Sequence, residues 1–144
     1  MASDVRYVLD TDVIVAAMRS PAGASAALLL AAQAEEFTLL ANVPLVIEYE
    51  ATCSLAEHRM VAGLSDLEVR QFLDAIAAMI EPVETHFLWR PRLRDPADEM
   101  VLEAAVNGKA TAIVTFNQRD YGAIPADFGI EVLKPKDALR RLSP

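Results

Sequence analysis

The chain has 144 residues, of which 53% are hydrophobic and 24% are charged, a composition typical of a globular domain. Its 21 acidic and 13 basic residues give a formal net charge of −8, which argues against a protein that coats duplex nucleic acid through bulk positive charge. A local basic patch or bound metal ions would still allow contact with nucleic acid. We therefore expect one domain over residues 1–144.

The content of cysteine and apolar residues predicts the cellular compartment of the protein. Cys53 is the only cysteine, so no internal disulfide forms, and two histidines are too few for a Cys/His zinc site. This pattern favours a reducing, cytoplasmic compartment. The N-terminal residues lack the basic and apolar regions of a signal peptide. The longest apolar run, residues 26–32, is far shorter than the ~18 residues of a membrane span, so we expect no membrane association.

Apolar runs, turn residues and helix caps divide the chain into alternating strands and helices. Asn42 is a predicted helix N-cap, Ser65 and Glu68 form a predicted capping box, and Asp95 with Pro96 opens a further helix. The predicted strands are residues 5–9, 37–40, 82–85, 111–115 and 130–133. The predicted helices are residues 13–18, 22–36, 43–58, 66–80, 95–107 and 135–142.

This alternation predicts an α/β fold with a parallel sheet covered by helices on both faces. Ligands of such sheets bind beyond the carboxyl ends of the strands. Oxygen-bearing side chains occur at or near these positions. Asp10 follows the first strand, Glu48 lies half-buried on the helix after the second, Asp98 lies in the first turn of a later helix, and Asn117 and Asp120 follow the fourth strand.

Each of these residues also has a purely structural interpretation. Asp12 can cap the first helix, Asp98 is favoured near a helix N-terminus by the helix dipole, and loop acids are commonly solvated. Glu48 and Glu50 lie on different helix faces, and periodicity alone does not choose between them. Glu99 and Glu103 share another face and are expected to be solvated.

Taken together, the acidic positions predict a metal site. Converging carboxylates raise one another's pKa unless a cation neutralises them. Ligation by oxygen alone selects Mg²⁺ or Mn²⁺ rather than zinc. Such ions activate water for in-line attack on a phosphodiester phosphorus.

The segments 8–12, 47–49, 95–98 and 114–121 resemble, in order and spacing, the motifs of the PIN domain family. They are most similar to bacterial and archaeal PIN proteins that act as toxins in type II toxin–antitoxin systems. The resemblance covers the chain from about residue 5 to residue 142. It implies a three-layer α/β/α sandwich with a central, mostly parallel sheet of four to five strands. It also implies a ribonuclease that depends on Mg²⁺ or Mn²⁺.

The resemblance further implies the roles of individual residues. Asp10, Glu48 and Asp98 match the three acidic metal ligands, and Asn117 stands where many members have a fourth acid. These four residues are the predicted catalytic set. Asp120 would help to hold the metal because Asn117 replaces an acid.

Other residues are candidates for binding RNA. Thr115 matches a hydroxyl residue of the family that orients water or a phosphate oxygen, and Asp12 replaces an Asn that is more common there. Arg90 and Arg92 belong to a basic loop that can guide an RNA backbone, although solvated surface arginines are an equally simple interpretation. Trp89, beside this loop, can stack on a base or pack in the core.

The apolar helix predicted over residues 22–36 is a candidate surface for binding another protein chain. A helix that is apolar on all sides is buried in the core, by a second copy of the chain, or by a helix from another protein. The resemblance implies a homodimer and a protein antitoxin that blocks the site.

Other functions remain open at this point. A phospho-acceptor receiver domain is also α/β, but it needs an aspartate at the end of its third strand, and residues 41–65 offer only Glu48, Glu50 and Glu57. A non-catalytic PIN-like binding module is favoured by Asn117. A nuclease that cuts DNA or processes ribosomal RNA is the nearest enzymatic alternative.

Overall fold

The computed structural model describes residues 4–86 and 92–142. Within these ranges, five strands and seven helices follow one another, with two short 3-10 turns at Gln118–Asp120 and Pro125–Phe128. The strands are β1 (Arg6–Leu9), β2 (Thr38–Ala41), β3 (Ile80–Pro82), β4 (Ala112–Val114) and β5 (Glu131–Leu133). The helices are α1 (Thr11–Arg19), α2 (Ala24–Gln33), α3 (Val43–Cys53), α4 (Ala56–Ala62), α5 (Asp66–Met79), α6 (Pro96–Asn107) and α7 (Pro135–Arg140).

The strands form one parallel sheet in the order β3-β2-β1-β4-β5. β1 lies at its centre, where Tyr7 pairs with Leu39 of β2 on one side and with Ala112 of β4 on the other. From β1 the chain adds β2 and β3 in one direction, then returns to add β4 and β5 in the other. The expected α/β fold with a parallel sheet flanked by helices is confirmed.

The core lies on both sides of the central strands. Val8, Leu9, Ile113 and Val114 are fully buried, as expected of short apolar strands covered on both faces. α6 packs against β1, β2 and β4, while α1 packs against α2 and α3. In the described part of the chain, no single helix is long and apolar enough to cross a membrane, and the consecutive apolar helices α1 and α2 meet at 100°.

The predicted helix starts are confirmed by their capping contacts. The Asn42 side chain accepts a hydrogen bond from the Leu45 N–H at 3.1 Å, and Ser65 and Glu68 form the reciprocal capping box. Asp95 accepts from the Ala97 N–H at 2.9 Å. These contacts satisfy N–H groups that have no partner within their helices.

Two predicted elements are wrong in extent. The helix predicted over residues 43–58 is divided at Ser54 and Leu55, where Leu55 has extended backbone. The break redirects the chain so that both α3 and α4 contact α1, a tertiary requirement that overrides helix propensity. β3 lies at Ile80–Pro82 rather than at 82–85, because it pairs with β2 through those residues at the edge of the sheet.

Close packing at Gly108, the residue after α6, generates a stability prediction. A Cβ atom there would lie 2.8 Å from the Ala104 carbonyl oxygen and 2.9 Å from Val83 Cγ2. We expect Gly108→Ala to destabilise the protein by about 1–3 kcal/mol through overpacking. Gly23→Ala is the control, since its nearest contact would be an ordinary 3.4 Å. Urea denaturation of both variants measures the effect, and equal midpoints would contradict the prediction.

Candidate active site

The site begins at the point where the order of strands reverses. β1 and β4 are neighbours, but the chain leaves them toward opposite sides of the sheet, which opens a crevice at their carboxyl ends. Asp10 follows β1 and Thr115 follows β4. The backbone N–H of Asp10 donates to the Val114 carbonyl oxygen at 2.9 Å, so the sheet fixes the backbone of Asp10.

The Asp10 carboxylate is held from several elements. One oxygen, Oδ1, accepts from the Thr11 N–H at 2.8 Å and so caps α1. The other, Oδ2, accepts from the Thr115 hydroxyl at 2.8 Å and from the Tyr121 hydroxyl at 2.9 Å. Burial raises the pKa of Asp10, and the charge of Asp120 raises it further, whereas these hydrogen bonds oppose the rise.

Asp12 is a site residue that the sequence prediction missed. It lies in the first turn of α1, and Asp10, not Asp12, caps that helix. Its Oδ2 accepts from the Phe116 N–H at 3.1 Å and from the Asn117 side-chain amide at 3.0 Å. Its Oδ1 is buried and has no hydrogen-bond partner in the described residues. Burial, and then the charge of Asp10, raise the pKa of Asp12 to about 6. Two acids flanking a threonine directly after a strand were the available signal.

Asp98 lies in the first turn of α6 and approaches Asp10. Its side chain is buried, at 8% relative exposure. Burial, followed by the charges of Asp10, Asp95 and Asp120, raises the pKa of Asp98 to about 6. A hydrogen bond with Tyr121 partly offsets that rise. Asp98 and Asp10 are therefore close enough to repel each other.

Tyr121 is the second residue whose role was missed, although it lies in a motif that the sequence analysis used. Its ring is fully buried and its hydroxyl donates to Asp10. Burial and the charges of Asp10 and Asp98 raise the pKa of this hydroxyl far above its usual value. Tyr121 therefore stays protonated and remains a hydrogen-bond donor between the two acids.

The remaining predicted ligands lie on two cavities that flank these acids. Glu48 accepts from the Thr52 hydroxyl at 3.3 Å and lines a cavity of about 610 Å³ that Asp12 also lines. Glu50 does not line that cavity. Asp120 is exposed and lines a second cavity of about 560 Å³ together with Asp98 and Tyr121. The predicted residues therefore line two different cavities. Asp10 lies between them, because it accepts hydrogen bonds from Thr11, which lines the first cavity, and from Tyr121, which lines the second.

Asn117 contacts the site through its amide nitrogen. Its Nδ2 donates to Asp12, and its backbone N–H donates to the Thr115 hydroxyl at 3.0 Å. Thr115 is fully buried, as expected for a residue that orients its neighbours. Asn117 and Thr115 therefore hold Asp12 and Asp10 in place.

The donor set fits a hard divalent cation in its chemistry. Asp10, Asp12 and Asp98 offer only oxygen atoms as ligands. One of these atoms, Oδ1 of Asp12, is buried and has no hydrogen-bond partner in the described residues. The pKa of each carboxyl is raised, and a cation would relieve the repulsion that contributes to this. As the side chains stand, no group of three or more His, Cys, Asp or Glu residues in ranges 4–86 and 92–142 could hold a metal by itself.

One predicted surface acid is buried instead. Glu99 is only 8% exposed, and its carboxylate accepts from the backbone N–H groups of Arg92 and Leu93. The expectation that Glu99 is solvated like Glu103 is wrong, because Glu99 anchors the segment that precedes α6. The contact positions Arg92 at the rim of the cavity lined by Asp98.

The cavity that contains Asp98 is lined by three arginines as well as by the acids Asp95, Asp98 and Asp120. Arg92, Arg94 and Arg119 line it, and Arg92 also pairs with Asp127 at 3.4 Å. Arg90 and Trp89, the other predicted RNA-binding candidates of this loop, lie outside the described residues.

The raised pKa of Asp12 predicts how the stability of the metal-free protein depends on pH. The folded protein binds this proton more tightly, since the pKa is about 6 when folded and ~3.9 when unfolded. Its contribution is therefore most favourable below pH ~4 and is lost as pH rises to about 6. We expect Asp12→Asn to reduce this loss. Urea midpoints measured with chelator from pH 4 to pH 7 test it.

Asp74→Asn is the matched control, because Asp74 is exposed on α5. It removes the same charge without changing the site. Identical pH dependence of the two variants would contradict the assignment of Asp12 as a buried, repelled acid.

Comparison with known proteins identifies the family. A PIN domain model matches residues 6–119. No curated protein matches the chain. Among solved structures, it is similar to the crystal structure of VapBC2 from Rickettsia felis bound to a DNA fragment from their promoter. The TM-score is 0.60 and the sequence identity 16%, covering 90% of this chain and 98% of that chain. The shared fold and the family match together exclude the receiver alternative. The chain belongs to the PIN domain family.

Proposed function

We propose that this chain is a Mg²⁺- or Mn²⁺-dependent endoribonuclease and the toxin of a type II toxin–antitoxin pair. The observation that carries the proposal is that Asp10, after β1, is close enough to repel both Asp12 in the first turn of α1 and Asp98 in the first turn of α6. PIN domains are generally nucleases, which are hydrolases of phosphodiester bonds. An acidic site that favours a divalent cation suits that reaction.

The carboxylates would hold the cation. Asp10, Asp12 and Asp98 would be the central ligands, with Glu48 in the cavity beside Asp12 and Asp120 in the cavity beside Asp98. A divalent cation in such a site supplies an activated water and neutralises the charge on the phosphate oxygens.

The neighbouring residues keep these acids in position. Thr115 and Tyr121 fix the Asp10 carboxylate, while Asn117 fixes that of Asp12. All these donors are in place before substrate arrives, so little reorganisation is needed during reaction. We assign Thr115 and Asn117 the role of positioning the Asp10 and Asp12 carboxylates, and we propose that the two neighbouring cavities bind the RNA.

The arginines beside the acids offer groups that can bind the phosphates of an RNA strand despite the acidic net charge. Arg92, Arg94 and Arg119 line the cavity beside Asp98. Guanidinium groups bind phosphate in two-pronged geometry. A local patch of this kind supports contact with a single strand, whereas the net charge of −8 opposes binding through the whole surface.

An antitoxin partner is supported by the structural neighbour, since VapBC2 is a toxin–antitoxin complex. Exposed apolar side chains offer surfaces for such a partner or for a second copy. Leu30 of α2, Ile47 of α3 and Met60 of α4 are each more than half exposed. The other large residues of α2, Leu28 and Leu29, are buried in the core of the monomer. We propose a cytoplasmic homodimer that is inhibited by an antitoxin.

A non-catalytic binding module is the second candidate. It is favoured by Asn117, whose amide donates to Asp12 where many relatives have an acid. Such a module would bind the cation and RNA without cleaving the strand.

Cleavage of RNA tests the main proposal. We expect Asp98→Asn to reduce Mn²⁺-dependent cleavage of single-stranded RNA by more than about 100-fold, because the variant removes a charge from the metal site. Asp74→Asn, an exposed change of the same kind, should retain full activity. Rates measured by gel with Mn²⁺ and with chelator decide it. Cleavage by Asp98→Asn at the rate of the control would refute the assignment.

Cation affinity should depend on pH. Asp12 and Asp98 both have a pKa of about 6, so they are protonated at lower pH and must lose their protons to bind a cation. We expect Mn²⁺ affinity, measured by titration calorimetry, to weaken as pH falls through about 6. An affinity that is constant between pH 5 and pH 7.5 would contradict binding by these carboxylates.

A further inference from the structure

A groove beside the acids carries features that the metal site does not use. The cavity of about 610 Å³ lies between α1, α3 and α4, with Asp12 and Glu48 among its lining residues. Arg19, His58 and Phe116 also line it. Acidic, basic and aromatic side chains thus share one groove.

The basic residues of this groove face each other. The Arg19 guanidinium lies 3.3 Å from Nδ1 of His58, and no carboxylate lies within 4 Å of it in the described residues. His58 is near Glu57 at 3.7 Å, but the Glu57 side chain is 77% exposed. Because a guanidinium can only donate, Nδ1 of His58 accepts from Arg19, and the other guanidinium N–H groups and the Nε2–H of His58 are the donors left for an anion. An incoming phosphate would bind both groups.

Phe116 supplies an aromatic surface next to the acids. Its ring is 47% exposed, while its backbone N–H donates to Asp12. The backbone contact fixes the main chain of Phe116 beside Asp12, so its exposed ring stays within side-chain reach of the carboxylates. Exposed aromatic rings are platforms on which nucleic acid bases stack, with little preference for sequence.

The spacing along α1 connects the two features. Arg19 lies seven residues after Asp12, which is roughly 10 Å along the helix axis at the usual rise per residue. A strand with one phosphate at the acids would therefore extend along α1 toward Arg19.

We propose that this groove is a nucleotide-binding subsite for the single-stranded RNA that flanks the cleaved bond. Arg19 and His58 hold a phosphate there, and Phe116 stacks on a base. The proposal rests on the nuclease function proposed above and adds a second place where the substrate is held, on the α1 side of the acids.

Binding of short fluorescein-labelled single-stranded RNA oligonucleotides tests the subsite. We expect Arg19→Ala to weaken binding about tenfold or more, as for the loss of a charged hydrogen bond. The slope of log affinity against log salt should decrease in magnitude by about 0.7, which is the loss of one phosphate contact on a single strand. Mn²⁺ affinity should not change.

Arg140→Ala is the matched control. Arg140 is the last residue of α7, and the next residue, Arg141, pairs at 2.8 Å with Glu131 at the start of β5. Arg140 therefore lies toward the end of the sheet opposite the acids. This variant loses the same charge and should keep the affinity and salt slope of the unmodified protein.

Neutral linkages in the RNA identify the contacted phosphate. A methylphosphonate is placed at each position in turn, and one position near the cleaved bond should weaken binding to the unmodified protein. In Arg19→Ala that position should have no further effect, because the variant has already removed the contact. Phe116→Ala should weaken binding of all four bases alike, and Phe116→Tyr should restore it.

The outcomes separate the subsite from the function on which it rests. If the unmodified protein cleaves RNA but Arg19→Ala binds with the same affinity and salt slope, the subsite is wrong and the nuclease function stands. Additive effects of Arg19→Ala and every neutral linkage would also overturn the subsite. If the unmodified protein neither binds nor cleaves RNA while Mn²⁺ binds, the nuclease function fails and the subsite fails with it.

Discussion

The arrangement depends on the oxygen of Asp10 that receives two hydroxyl hydrogen bonds. Oδ2 is shared by Thr115, at the end of β4, and Tyr121, after a 3-10 turn. A buried carboxylate is unfavourable without such donors. Because the donors come from distant parts of the chain, the charge of Asp10 is stabilised only when the central strands are paired correctly. The geometry of the acids therefore depends directly on the register of β1 against β4.

The same arrangement destabilises the protein locally. Burial and repulsion by neighbouring acids raise the pKa of Asp10, Asp12 and Asp98, so their charged forms are less stable in the folded protein than they would be in water. The apolar central strands offset this, since Val8 and Ile113 are fully buried beside the site. An unfavourable charge cluster on a well-packed sheet is the arrangement expected when binding of a cation matters to the protein.

Much of the fold was predictable, because its signals are local. Capping residues such as Asn42 and Ser65 act within one turn, and parallel strands follow from alternation of apolar runs with helices. The break at Ser54 was not predictable, since those residues have no strong helix-breaking preference and the turn is imposed by packing on α1. At the site, Asp10 and Asp98 could be chosen from their places after a strand and in a first turn. For Asp12, the two acids flanking a threonine after a strand were a usable signal. Its contact with Phe116 and that of Tyr121 with Asp10 could not be predicted locally, because they join residues more than 100 positions apart in sequence.

The break between α3 and α4 determines which residues line the groove beside Asp12. Glu48 lies on α3 and His58 on α4, so these two lining residues belong to separate helices joined at Ser54 and Leu55. In a continuous helix, His58 would lie roughly 15 Å along the axis from Glu48. The short connection instead folds α4 back toward α1. This connection lies outside β1 and β4, whose carboxyl ends position Asp10, Asp12 and Thr115. Under the function proposed above, the course of the chain at Ser54 and Leu55 therefore shapes the groove that receives the substrate, while the central strands shape the acidic site.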